Sequence, residues 1–326
     1  MKRRQFITLL GGVTAWPLAA RAQQARRVGA LIAGYAQTDH EGQANLAAFL
    51  DTFQKLGWTD GRNVQIEIRW AAGDAARIKT LAAELVRLAP DAIVVTASPA
   101  LAELQRLTRT IPIVFTQVGD PVEGGFVANL ARPGGNITGF RVFDAPMGGK
   151  WLSVLKEAAP NMHRAAVLFE SIAAANVAYL RSAEAAASSL SITVTAVDVR
   201  DGGAIERMIA AFAGEPDGGF VVMPNRYTLA NRGTIITLAA RHRLPAIYPF
   251  RYFAAEGGLM SYGPDQIEQW RGVATYVNRI LRGEKPSELP IQAPTKLELV
   301  INMKTAQALG LKIPPGLPLR ADEVIE

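Results

Sequence analysis

The sequence predicts an α/β protein built as two similar doubly wound parallel-sheet lobes. Three observations carry that reading. Strand-like segments alternate with helix-like ones, the order of elements before residue 160 returns after it, and the same proline punctuation marks corresponding places in both passes. A chain of 326 residues holds two units of roughly 150 residues, each with its own core.

The first pass opens with the apolar run Val28–Ala33, and Leu46, Phe49, Leu50, Phe53 and Leu56 then recur at helical spacing. Val64, Ile66, Ile68 and Trp70 alternate with Gln65, Glu67 and Arg69, a strand whose Glu67 and Arg69 face water. Asp74 is placed to cap a helix with Ile78, Leu81, Leu85 and Leu88 on its apolar side. Ala92–Val95 and Ile111–Phe115 read as buried strands with an Ala/Leu-rich helix between them. The second pass answers in the same order: Ala165–Phe169, an Ala-rich helix, Ile192–Val197, a helix opened by Asp201-Gly202-Gly203, and Gly219–Met223. Pro90-Asp91 before one strand matches Pro216-Asp217 before its counterpart, and Ile111-Pro112 matches Leu244-Pro245.

Composition excludes several chemistries. With no Cys there is no thiolate nucleophile, disulfide, Cys-ligated metal or Cys-attached lipid. His40, His163 and His242 are too scattered for a metal motif, and no cofactor is expected. No G-x-G-x-x-G follows the first strand, no G-x-S-x-G elbow occurs, and Gly134-Gly135-Asn136 lacks the Lys-Ser/Thr of a phosphate loop. The net charge of +6 is concentrated at the start: Lys2, Arg3, Arg4 and Arg21 leave +2 on the remainder, which gives no electrostatic case for nucleic acid.

Residues 1–22 read as an export signal: a basic start, an apolar stretch from Phe6 to Ala20, and cleavage expected after Ala22 in Ala20-Arg21-Ala22. Arg3-Arg4-Gln5-Phe6-Ile7 resembles a twin-arginine pattern, with an ordinary secretory signal as the alternative. The expected location is the periplasm.

In open parallel sheets, ligands sit beyond the carboxyl ends of the strands, beside helix N-termini. The sequence places Tyr35, Ser98, Thr116, Gln117 and Asp120 at such ends in the first lobe, and Asn225, Tyr227 and Tyr248 in the second. Ser98-Pro99 opens a helix, so its hydroxyl and nearby free N–H groups suit a carboxylate; the alternative is that Ser98 caps its own helix. Thr116 and Asp120 suit an ammonium group, although Asp120-Pro121 is also a plain turn. Asn225 and Tyr227 occupy the second-lobe position equivalent to Ser98. Tyr35, Tyr227, Tyr248 and Phe250 are candidate apolar walls or ordinary core. Arg241-His242-Arg243 ends a helix and reads as structural.

The chain resembles the extracytoplasmic solute-binding proteins of ABC importers, in their tryptophan/tyrosine-type branch. The match is carried by Glu41-Gly42-Gln43, Leu56-Gly57-Trp58 with Gly61-Arg62-Asn63-Val64, and Ile111-Pro112-Ile113-Val114-Phe115. It continues through Asp120-Pro121, the run from Leu130 to Gly139 (LARPGGNITG), and Gly257-Gly258-Leu259 with Ser261-Tyr262-Gly263. The resemblance implies a class I periplasmic-binding fold with a three-segment hinge, a small-molecule solute held between the lobes, and delivery to an ABC permease. It puts the solute's carboxylate at Ser98, the Asp-Pro at Asp120-Pro121 and the second-lobe polar position at Asn225. The expected lobes are residues 26–142 with 258–285, and 143–257 with 286–326, crossing near Arg141–Pro146, Glu256–Gly258 and Lys285–Pro290. The protein is expected to be a monomer.

Two functional readings follow. A non-enzymatic binding protein closes on a small carboxylate-bearing solute, an aromatic or other amino acid. The alternative is an exported sensor component or an enzyme on the same fold, which requires titratable groups converging in the cleft. The sequence offers Asp120, Glu170, Arg226, Arg251 and Glu256 as cleft charges, without pairing them as acid and base. The first reading is favoured.

Overall fold

The computed structural model describes residues 25–200 and 202–326. The expected export signal lies outside the described residues. In the first lobe, β1 (Arg26–Ile32), α1 (His40–Lys55), β2 (Val64–Trp70), α2 (Ala75–Arg87), β3 (Ala92–Thr96), α3 (Ser98–Leu107), β4 (Ile113–Val118) and β5 (Ile137–Arg141) build an all-parallel sheet ordered β2-β1-β3-β4-β5. The chain then crosses to α4 (Met147–Ala158), β6 (Arg164–Phe169), α5 (Ala174–Ala187), β7 (Thr193–Asp198), α6 (Gly202–Phe212), β8 (Gly218–Val222), α7 (Arg226–Ala230), α8 (Arg232–Arg241), β9 (Ala246–Tyr248), α9 (Arg251–Ala255) and β10 (Met260–Pro264). After α10 (Gln266–Leu281) come β11 (Leu297–Asn302), α11 (Met303–Ala308), α12 (Gly316–Arg320) and β12 (Glu323–Ile325).

Read from its far edge, the second sheet runs β7-β6-β8-β9-β10, the first lobe's order repeated, then extends through β11 and β12. Among the described strands, only β11 against β10 is antiparallel. The protein is thus two α/β lobes of class I periplasmic-binding architecture, with crossover helices on both sheet faces as a parallel sheet requires. The local signals act as expected: Asp74 Oδ1 accepts the Arg77 N–H as the cap of α2, and Ile78, Ala82 and Leu85 bury the inner face of that helix. The expected alternation on β2 is weaker: Ile66, Glu67, Ile68 and Arg69 are all half-buried, and Glu67 and Arg69 pair at 3.2 Å instead of facing water freely.

The repeat is deepest at the fifth strands. A Cβ on Gly139 of β5 would meet Phe115 O at 2.2 Å, and one on Gly263 of β10 would meet Pro249 O at 1.8 Å. Only glycine admits so close an approach of adjacent backbones. Each fifth strand is followed by a crossing, so the next helix packs on the opposite lobe. α4 covers the second sheet against α5, and α10 covers the first against α1, β3, β4 and β5.

That arrangement corrects two expected boundaries. The second crossing lies at Pro264–Asp265, because β10 pairs with β9 and β11; Gly257–Gly258 instead form the tight turn after α9, where Tyr248 and Phe253 press on Gly258. The third crossing follows Gln292, which still exchanges hydrogen bonds with β5, as Leu289 O does with Thr138 Oγ1 at 2.7 Å. The first crossing, after Arg141, falls inside the expected segment. Among the described residues, no helix is long and apolar enough to cross a membrane.

Candidate functional site

Where the two sets of strand ends face each other, a cavity of about 50 Å³ lies between the lobes. The first lobe supplies Ala97, Ser98, Pro99, Gln117 and Gly119, the crossing supplies Val142 and Phe143, and the second lobe supplies the remaining wall. The lobes are in contact here: a Cβ on Gly119 would lie 2.3 Å from that of Ala175 and 2.7 Å from the Tyr179 hydroxyl.

Two first-lobe residues at this wall hold unusual backbone. Ala97 has φ +67° and Gln117 φ +56°, in the region that L side chains avoid. Such conformations cost about 1–3 kcal/mol each and persist where surrounding structure over-determines them. Their effect is visible: Ala97 becomes the N-cap of α3 with no side-chain cap, so Ser98 stands inside the helix at its first position. Ser98 therefore does not cap its own helix; it lines the cavity at a helix start whose first N–H groups have no side-chain acceptor.

The second-lobe wall carries the charge. Glu170, just past β6, is 3% exposed, and Arg226, opening α7, is 8% exposed. Arg226 Nη2 lies 3.1 Å from Glu170 Oε1 in a buried ion pair, and Arg226 Nε is left without a partner. Burial raises the Glu170 carboxyl above the ordinary carboxylate range, and the Arg226 guanidinium pulls it back. A buried pair with unfilled bonding capacity is poised to take polar groups from a third party. Asn176 supports it, accepting the Glu170 N–H at 3.0 Å and donating to Pro224 O at 3.0 Å. The apolar side is Phe143, Tyr179, Leu229 and Phe250, with Phe143 and Phe250 stacked 5.7 Å apart.

Of the residues expected at the site, Ser98, Gln117 and Asn225 line this cavity. Asn225 does so with its oxygen already engaged: Oδ1 accepts the Tyr227 and Thr228 N–H groups in a capping box that starts α7. The others sit elsewhere. Thr116 is fully buried within β4, since strand alternation turns it inward and its neighbour Gln117 outward. Asp120 forms the Asp-Pro turn, accepting from Val122 and Glu123 N–H. Tyr248 is core, stacked 5.0 Å from Phe253. Tyr227 lies half-buried with the Arg226 guanidinium 4.6 Å from its ring. Tyr35 is buried beside the cavity, where burial pushes its hydroxyl up to about 12; it bonds to Gln117 rather than lining the space. Sequence reasoning marked Glu170 and Arg226 as cleft charges without joining them; each directly follows a strand or its helix cap, and that position was the available signal. Arg251 and Glu256 lie outside the cavity lining; Arg251 pairs with Glu323 and Glu256 with Arg232. No group of three or more His, Asp or Glu side chains is arranged to hold a metal ion among the described residues.

Comparison with known proteins agrees with this architecture. The chain is 23% identical over 264 residues to the tyrosine-binding protein of Clostridioides difficile, covering 81% of this chain and 76% of that one. A Streptococcus pneumoniae ABC domain in complex with L-Trp superposes with a TM-score of 0.85 at 23% identity, covering 92% of this chain and all of that one. A conserved domain protein from Vibrio cholerae gives 0.84 at 26% identity, over 92% of this chain and 99% of that one. The model of the family described as ABC transporter substrate binding protein matches residues 32–325. The chain, with its two facing lobes and the cleft between them, belongs to the ABC transporter substrate binding protein family.

Proposed function

We propose that this protein is the extracytoplasmic solute-binding component of an ABC importer, and that its solute is an amino acid. The observation that carries the solute class is the buried Glu170–Arg226 pair, incompletely bonded and facing the start of α3 across one cavity. An amino-acid zwitterion completes both: its carboxylate lies between Arg226, the Ser98 hydroxyl and the first-turn N–H groups of α3, and its ammonium lies on Glu170. Its side chain meets Phe143, Tyr179, Leu229 and Phe250. The names of the L-Trp complex and the tyrosine-binding relative support this class, with aromatic members first in the panel to test.

Capture follows from differential contact. A solute that touches both walls favours the closed arrangement over the open one by the contacts it makes only there. The hinge segments at Val142–Pro146, Pro264–Asp265 and Ala293–Lys296 carry the motion. The basic start and apolar stretch of residues 1–22 support export to the periplasm, and the family supports hand-over to a permease.

Thermal unfolding of residues 23–326 against amino acids, short carboxylates, nucleosides and sugars tests the reading. A solute at 100 times its Kd stabilises the fold by about 2.7 kcal/mol. At roughly 2–4 °C per kcal/mol, the expected shift is several degrees, for zwitterions and not for their des-amino analogues. Shifts with sugars or nucleosides alone would overturn the assignment.

A further inference from the structure

The lobes meet a second time, beside the cavity. Tyr35 follows β1 in the first lobe and is 1% exposed; its hydroxyl lies 3.1 Å from that of Tyr252, on α9 of the second. The Tyr35 hydroxyl donates to Gln266 Oε1 at 3.1 Å and accepts from Gln117 Nε2 at 3.2 Å. Asn45 Nδ2 and Gln117 Nε2 also donate to that Gln266 oxygen, at 3.1 and 3.2 Å. The Arg232 guanidinium lies 5.4 Å from the Tyr252 ring. Arg232 Nη1 pairs with Asp39 of the first lobe, while its Nε donates to Glu256 of its own lobe at 2.9 Å.

We infer that Asp39–Arg232 and Tyr35–Tyr252 form a latch between the lobes, made of positioning residues outside the pocket that set how long a captured solute is retained. The inference rests on capture by lobe closure. Each partner has a second role that survives opening: Asp39 Oδ1 caps α1 through the Gly42 N–H, and Arg232 retains Glu256. The cross-lobe bonds are therefore the ones that differ between closed and open states, and only such differences move the equilibrium. With Arg232 and Asp39 side chains 16% and 13% exposed, the pair is shielded enough to resist solvent screening. Gln117 joins latch to cavity, because it lines the cavity and bonds Tyr35. A solute resting on Gln117 fixes the donor that holds the tyrosine pair.

The absence of cysteine makes a direct test available. Val122→Cys and Ile172→Cys, at residues 39% and 76% exposed on either side of the cleft, accept a pair of spin labels. Inter-label distances are read without solute, and dissociation rates with L-tryptophan and L-tyrosine, in unaltered, D39N, R232Q and D39N/R232Q backgrounds. Asn caps a helix as well as Asp, so D39N removes the pair while keeping α1 capped. We expect each single change to lengthen the distances and to raise the dissociation rate about tenfold, with the double change no worse than the stronger single one. Y252F, which removes only a hydroxyl, gives the same direction with a smaller effect and covers the case of a misfolded charge variant. Unchanged distances and rates in D39N and Y252F would overturn the latch. Longer distances in D39N, with neither amino acid binding to the unaltered protein, would uphold the latch and sink the amino-acid reading.

Discussion

The strand-to-helix turns at Ser98 and Asn225 occupy the same place in the two lobes, after the third strand of each parallel set, and they are built in opposite ways. In the second lobe, Asn225 is an ordinary cap: its oxygen holds the Tyr227 and Thr228 N–H groups, and Thr228 closes the box from the other side. In the first lobe, the cap is an alanine at φ +67°, the helix start has no side-chain acceptor, and the serine stands one residue further in. One turn is complete in itself. The other carries backbone strain and leaves its donors open, which is how a protein reserves bonding capacity for a ligand. Charge divides the other way, with Glu170 and Arg226 both on the second-lobe side. The first-lobe wall has an uncapped helix start and no charge, and the second-lobe wall has the charged pair, a division that suits the proposed solute.

The strongest way to break that comparison is Glu170→Ala. It leaves Arg226 buried without its partner, and chemical denaturation is expected to show a loss of about 3–5 kcal/mol together with abolished solute binding. Gly119→Val tests the need for both walls at once. Its added atoms collide with Ala175 and Tyr179 across the cleft, so calorimetry is expected to show affinity weakened at least about tenfold with the unfolding midpoint unchanged. A sharper contrast comes from the turns themselves. Asn225→Ala removes a cap and is expected to lower stability by about 1 kcal/mol. Ser98→Ala is expected to leave stability unchanged and weaken binding by roughly 0.5–1.5 kcal/mol, the range of one neutral hydrogen bond. The reverse pattern would mean the roles are exchanged.

The smallest effect is a pH dependence with two signs. Because the folded Glu170 carboxyl is raised above its ordinary 4.5, the folded state binds more protons than the unfolded state between those two values. Its contribution to stability is full below 4.5 and is lost as pH rises through the folded value. Binding of a zwitterion runs oppositely, since the ammonium needs the ionised carboxylate. Titrations from pH 4 upward are expected to show affinity rising across the window in which the unliganded protein loses stability, and E170Q is expected to flatten both curves.

The sequence displayed most of the fold because parallel strands buried on both faces write continuous apolar runs, as in Ala92–Val95, and because the second unit repeats the first. It hid the crossings. Gly257-Gly258 looks like a hinge to composition, whereas the residue that matters is Gly263, whose role depends on the backbone of Pro249 lying against it. The repeat itself held the clue, since β10 stands to β9 as β5 stands to β4. At the site, Ser98, Gln117 and Asn225 were legible as strand ends. Thr116 and Tyr248 were not separable from them, because which of two neighbours turns toward the cleft depends on strand phase and on the positive φ of Gln117. The Glu170–Arg226 contact joins residues 56 positions apart, one just past β6 and one opening α7, and no local pattern announces it.

Isothermal titration reads whether the cleft recognises a zwitterion through the Glu170–Arg226 pair. L-tryptophan, L-tyrosine and a panel of other amino acids are titrated into residues 23–326, each beside its des-amino acid and its amide. Saturable binding of at least one amino acid, with both analogues weakened about a hundredfold or more, is the predicted result, since each analogue leaves one buried charge unanswered. An amino acid bound no more tightly than its des-amino analogue would contradict the account, because Glu170 would then have no part in recognition.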